Sequence, residues 1–79
     1  MKEAEYIFLL DCNGSMRGTP INLAANSLTY FIKSLSTNSY FNVIQFGSDM
    51  KPFFNDSVPV NDENTTTAIN KISEVEQTF

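Results

Sequence analysis

Seventy-nine residues with nine acidic and five basic side chains, a net charge of −4, no histidine and a single cysteine rule out much ordinary chemistry at once. The five cations are scattered at Lys2, Arg17, Lys33, Lys51 and Lys71, so no basic surface neutralises a run of phosphates and nucleic acid is not an expected partner. The same counts exclude an internal disulfide, a thiolate or imidazole zinc cluster, and a Ser-His-Asp or Cys-His pair.

Apolar residues make up 42% and charged residues 18% of the chain, which suits one small folded domain rather than a disordered tail. A domain of this size buries only about 60% of the surface that its unfolded chain exposes, so marginal stability is expected. Glu3 and Glu5 stand where a signal peptide would carry basic residues, and the apolar run Tyr6 to Leu10 is too short for a signal core or a membrane span. Neither a signal peptide nor a transmembrane segment is expected, and the compartment is left open.

Tyr6-Ile7-Phe8-Leu9-Leu10 is continuously apolar, the pattern of a strand covered on both faces in a parallel sheet. It stops at Asp11. Thr19 is suited to cap a helix with Pro20 at its first position, and Ile21, Ala24, Ala25, Leu28, Phe31, Ile32 and Leu35 then recur as one stripe at helical spacing. Ser36 to Ser39 break that helix. Tyr40 to Phe46 (YFNVIQF) resume as a β-branched and aromatic strand, so strand, helix and strand form a parallel βαβ unit.

Gly47-Ser48-Asp49 turns the chain, and Met50 to Phe54 follows as a short antiparallel edge strand. A second helix starts near Asp62 to Asn64 and turns Ala68, Ile69, Ile72 and Val75 inward, with Asn64 to Thr67 capping its free N–H groups. The aromatics of the strands and first helix, Tyr6, Phe8, Tyr30, Phe31, Tyr40, Phe41 and Phe46, are expected in the core; Phe53 and Phe54 are less easily buried. The fold class is α/β, with the parallel βαβ unit of a doubly wound, Rossmann-like sheet.

In open α/β sheets, ligands bind outside the carboxyl ends of strands, and Asp11 stands at such an end within FLLDCNGSMRGTP. Asp11, Asn13 and Ser15 offer a carboxylate, an amide carbonyl and a hydroxyl on one turn, three hard oxygens suited to Mg²⁺, Mn²⁺ or Ca²⁺. A plain polar turn built on Asn13-Gly14, with Asp11 accepting backbone hydrogen bonds, is the alternative. Asn-x-Ser/Thr patterns at Asn13, Asn55 and Asn64 are too short to carry weight in a chain this rich in Asn, Ser and Thr.

With YIFLLDCNGSM, GTPINLAANSLTYFIKSL, YFNVIQFGS and NTTTAINKI, the chain resembles the von Willebrand factor type A domains, particularly those of inter-alpha-trypsin-inhibitor heavy-chain type. The resemblance implies a protein-binding module. The family's Asp-x-Ser-x-Ser signature, part of a metal-ion-dependent adhesion site for Mg²⁺ or Mn²⁺, falls on Asp11, Asn13 and Ser15. By that resemblance the metal keeps one coordination position open for an acidic side chain of the partner protein.

Two departures follow from the same comparison. Asn13 replaces a serine, its oxygen one carbon farther from the backbone, and Mg²⁺ tolerates displaced ligands poorly. The family's later threonine and aspartate ligands have no counterpart, so residues 1–79 are expected to form the N-terminal half of such a domain, with a degenerate site that binds metal weakly. A structural remnant with no metal binding is the competing expectation.

An apolar strand ending in Asp-x-Asp-Gly-Thr is also similar to the haloacid-dehalogenase-type phosphatases, in which Asp11 would be the nucleophile. Asn13 stands where the acid/base would be, and the general acid/base contribution of about 10²- to 10⁴-fold would be lost. No enzymatic activity and no catalytic residue are expected. Cys12 and Arg17 are separated by four residues rather than the five of a Cys-x5-Arg loop, and Cys12 is read as a small, buried side chain.

Overall fold

The computed structural model describes residues 4–13, 19–47 and 49–78. Strand β1 (Ala4–Asp11) leads to helix α1 (Thr19–Lys33), strand β2 (Ser39–Phe46), two short strands β3 (Met50–Pro52) and β4 (Val58–Pro59), and helix α2 (Asp62–Thr78). The βαβ unit is present. β1 and β2 pair in parallel over their whole length, from Ala4 opposite Ser39 to Asp11 opposite Phe46. β3 and β4 both lie antiparallel to β2, which is therefore the central strand, while β1 forms an edge.

Alternation of side chains along a strand puts Phe8 and Leu10 on the same face as their neighbours Phe41 and Val43. Phe41 and Val43 are fully buried there, in one cluster with Ile21, Ala25, Leu28 and Ile32 of α1 and Ala68, Ile72 and Val75 of α2. On the opposite face, Ile7 is 49% and Leu9 65% exposed. The expectation of a first strand covered on both faces is thus not met: both helices join the cluster on one face, and Leu10 alone of β1 is buried.

The expected edge strand Met50 to Phe54 ends at Pro52, which has no N–H to extend the ladder. Beyond it, the Phe53 N–H still donates to the Val43 carbonyl at 2.8 Å, and the side chain of Asn42 then takes over the pairing. Its side-chain Oδ1 accepts the Phe54 N–H (3.1 Å) and the Val43 N–H (2.8 Å), while Nδ2 donates to the Phe54 carbonyl (2.9 Å). This seats Phe54 edge-on to Phe41, with ring centroids 5.8 Å apart. Phe53 and Phe54 pack against the core, whereas Tyr6, Tyr30 and Phe31, expected inside, are 43%, 71% and 57% exposed.

The helix termini differ from expectation in detail. Thr19 is already the first residue of α1, and Pro20 the second, a position where a missing N–H is also harmless because the first four have no intrahelical acceptor. α1 closes through i to i−3 bonds from Ser34 and Leu35 and through the Ser34 hydroxyl, which donates to the Tyr30 carbonyl. The cap of α2 is Asn61, whose Oδ1 accepts the Asn64 N–H at 2.8 Å, three residues before the expected row. Asn64 instead donates its amide to the Pro59 carbonyl. Ile69 is half-buried rather than inside.

Candidate functional site at the end of the first strand

Asp11 is the last residue of β1 and pairs with Phe46, the last of β2, so two parallel strands finish side by side at this point. The next amide, Cys12 N–H, still donates to the Phe46 carbonyl at 2.6 Å. The turn is held from inside as well. Asn13 donates both its backbone N–H (3.0 Å) and its side-chain Nδ2–H (2.7 Å) to Asp11 Oδ1. The amide nitrogen of Asn13, not its carbonyl oxygen, therefore faces the carboxylate.

That geometry bears on the expected ligand set. Asp11 and Asn13 are brought together, but Asn13 acts as a brace for Asp11 rather than presenting an oxygen beside it. Ser15 lies outside the described residues, as does Arg17. Among the described residues, no group of three or more His, Cys, Asp or Glu is placed to hold a metal ion. Of the expected set, the described residues thus hold one carboxylate, Asp11, and one amide that braces it, Asn13. As a donor set, a braced carboxylate at a strand end suits a hard cation reached directly or through water.

Cys12 packs against the core with its Sγ 3.6 Å from the Leu10 carbonyl. Burial, and then the Asp11 charge beside it, push its thiol pKa up. This agrees with its reading as a small interior side chain, although it is only partly buried.

Gly47 is a residue of the site that sequence reasoning assigned only to a turn. A Cβ built there would lie 3.0 Å from the Cys12 carbonyl oxygen and 3.2 Å from its carbon, so any other residue would push the Asp11 turn away from β2. A glycine directly after a strand is the available signal for such a close approach. On the other side of Asp11, an apolar groove of about 290 Å³ opens between the β1 edge and α1, lined by Phe8, Leu9, Leu10, Ala24, Leu28 and Phe31.

A parallel βαβ unit extended by antiparallel strands, with two helices in one core cluster, defines the class as an α/β domain. The family profile described as von Willebrand factor type A domain matches residues 4–78, and the chain belongs to that family. It is 39% identical over 75 residues to a von Willebrand factor A domain-containing protein of Dictyostelium discoideum, a match covering 95% of this chain and 8% of that protein. A second Dictyostelium protein of the same description is 45% identical over 62 residues, covering 78% of this chain and 8% of its own length.

The von Willebrand factor A domain-containing protein 5B1 of Mus musculus is 38% identical over 72 residues, covering 91% of this chain and 6% of its own. The chain thus spans about 8% or less of the length of these relatives. The matches identify the family and not a subgroup within it. Among the described residues, no helix is long and apolar enough to cross a membrane.

Proposed function

We propose that the chain is a protein-interaction module whose docking point is the end of β1. Asp11 anchors a Mg²⁺ or Mn²⁺ ion with the hydroxyl of Ser15, Asn13 acts as scaffold, and the partner protein contributes an acidic side chain to the ion. The observation that supports this reading is the position of Asp11, braced at the carboxyl end of a parallel strand beside an apolar groove. A partner with an apolar residue next to its acid would use both. The ion would supply a positive charge between the Asp11 carboxylate and the acidic side chain of the partner, and the remaining groups of the site would come from the chain.

A second reading, a remnant that interacts by packing alone, is favoured by one contact: the Asp11 oxygen is already engaged by two N–H donors of Asn13. Thermal unfolding of the full chain in EDTA and then in millimolar Mn²⁺ separates the two. A ligand that binds only the folded state raises the midpoint by mass action. The cation reading expects a rise that is lost in Asp11→Ala and larger in Asn13→Ser, where a hydroxyl replaces the bracing amide. A midpoint indifferent to Mn²⁺ in both the parent chain and Asn13→Ser leaves the remnant.

A further inference from the structure

The face of the sheet turned away from both helices is apolar across β1, β2 and β3. Register sets Leu9 beside Ile44 and Ile44 beside Pro52, while Phe46 stands between Asp11 and Met50. Paired residues share a face, and Ile7 joins Leu9 there by alternation. Ile7, Leu9 and Met50 are 49%, 65% and 71% exposed, and neither Ile44 nor Phe46 belongs to the core cluster or to the side chains packed against it. The patch therefore faces solvent.

Its rim carries charge of one sign. Glu5 stands near the start of β1, Asp11 at its end, and Asp49 directly before Met50; the group that Glu5 accepts a hydrogen bond from is the neutral Ser57 hydroxyl. The described lysines lie elsewhere: Lys33 ends α1, Lys71 is within α2, and Lys51 pairs with Gln45 on the opposite face.

We infer that this face docks an amphipathic helix of another protein, with an apolar stripe turned to the sheet and basic residues at both ends. Parallel βαβ sheets bury both faces, and helices are what cover them; here both helices lie on one face. The charge of the rim selects among occupants. A second copy of this chain, itself at −4, would set acid against acid, and an anionic lipid surface is repelled in the same way. A helix with cationic flanks meets the rim with opposite charge.

The length of the occupant follows from the strand. From Glu5 to Asp11 β1 runs about 20 Å, the length of about thirteen helical residues. Such a helix presents apolar residues at i, i+3, i+4 and i+7, with Lys or Arg beyond them at each end. This goes beyond the cation reading, because no metal takes part. The surface is a face of the sheet, distinct from the groove between the β1 edge and α1.

The probe is a fluorescein-labelled synthetic peptide of about fourteen residues, with a leucine stripe at helical spacing and lysines at both ends, titrated with the full chain in EDTA and followed by anisotropy. Saturable binding is expected, weakened several-fold by high salt and by Glu5→Gln combined with Asp49→Asn. It should be lost in Met50→Asp and in Leu9→Asp, two exposed positions whose variants are checked for folding by their unfolding midpoints, and retained in Phe31→Ser, which alters the groove instead. Absence of binding overturns the proposal, as does equal binding of a scrambled or a glutamate-flanked peptide. Loss in Phe31→Ser with retention in Met50→Asp overturns it in favour of the groove. Sedimentation of the chain alone as a dimer that Met50→Asp breaks assigns the face to a second copy, and co-sedimentation with phosphatidylserine vesicles that Met50→Asp abolishes assigns it to lipid; either result overturns the helix. With EDTA present throughout, failure of the cation reading and failure of this one are read separately.

Discussion

A single amide at Asn42 replaces a backbone peptide between β3 and β4, receiving one N–H of Phe54 and answering its carbonyl. Asn42 is 6% exposed, so truncation leaves these groups without their partner in a site that water reaches poorly. Asn42→Ala is expected to cost about 2 kcal/mol, within the range for buried groups left unpaired, as read by urea denaturation. Cys12 gives a pH dependence at the same scale. Its raised thiol pKa means that the folded state holds the proton at pH values where the unfolded chain has released it. The associated stability is complete below the ordinary thiol range, about 8.5, and is lost as pH rises beyond it. Alkylation of Cys12 in the native state should therefore show a midpoint above that of the urea-unfolded chain.

At the scale of elements, α1 was legible because its buried residues Ile21, Ala25, Leu28 and Ile32 keep strict helical spacing. Phe31, adjacent to that stripe, was not: it faces the groove at the β1 edge, and whether such a flank is covered depends on a neighbour that periodicity does not report. β4 escaped notice because two residues carry no periodicity at all. The cap of α2 was misplaced for a different reason: Asn61 and Asn64 both have capping side chains, and the entry of the chain from Val60 decides between them. Asn61→Ala should cost about 1 kcal/mol and lower the thermal midpoint, whereas substitutions at exposed Thr66 should leave it nearly unchanged.

Taken whole, the molecule has one finished side and one unfinished side. The finished side carries the cluster shared by both helices and β2. The other presents Ile7 and Leu9 on an edge strand whose sequence has the composition of an interior one. The sequence announced the parallel pairing and the position of Asp11, because both follow from strand, helix and strand in order. It announced the wrong burial for β1, since an apolar run states what a strand can bury and not what is present to bury it. Ile7→Thr keeps a β-branched side chain on this face; it should change the free energy of unfolding by no more than about 0.5 kcal/mol while reducing light scattering at high concentration.

Every partnership in the β1–β2 ladder, from Ala4 with Ser39 to Asp11 with Phe46, joins residues at one constant separation across the whole of α1. Contacts of that kind form only after the intervening loop has closed, and its entropy is lost before any pairing offsets it. α1 has local bonds and can form early, whereas the Asp11 turn, leaning on Phe46 and Gly47, cannot exist before the ladder is complete. A ligand at that turn therefore acts on the exit from the native state and not on the approach to it. Its kinetic signature is slower unfolding with an unchanged folding rate.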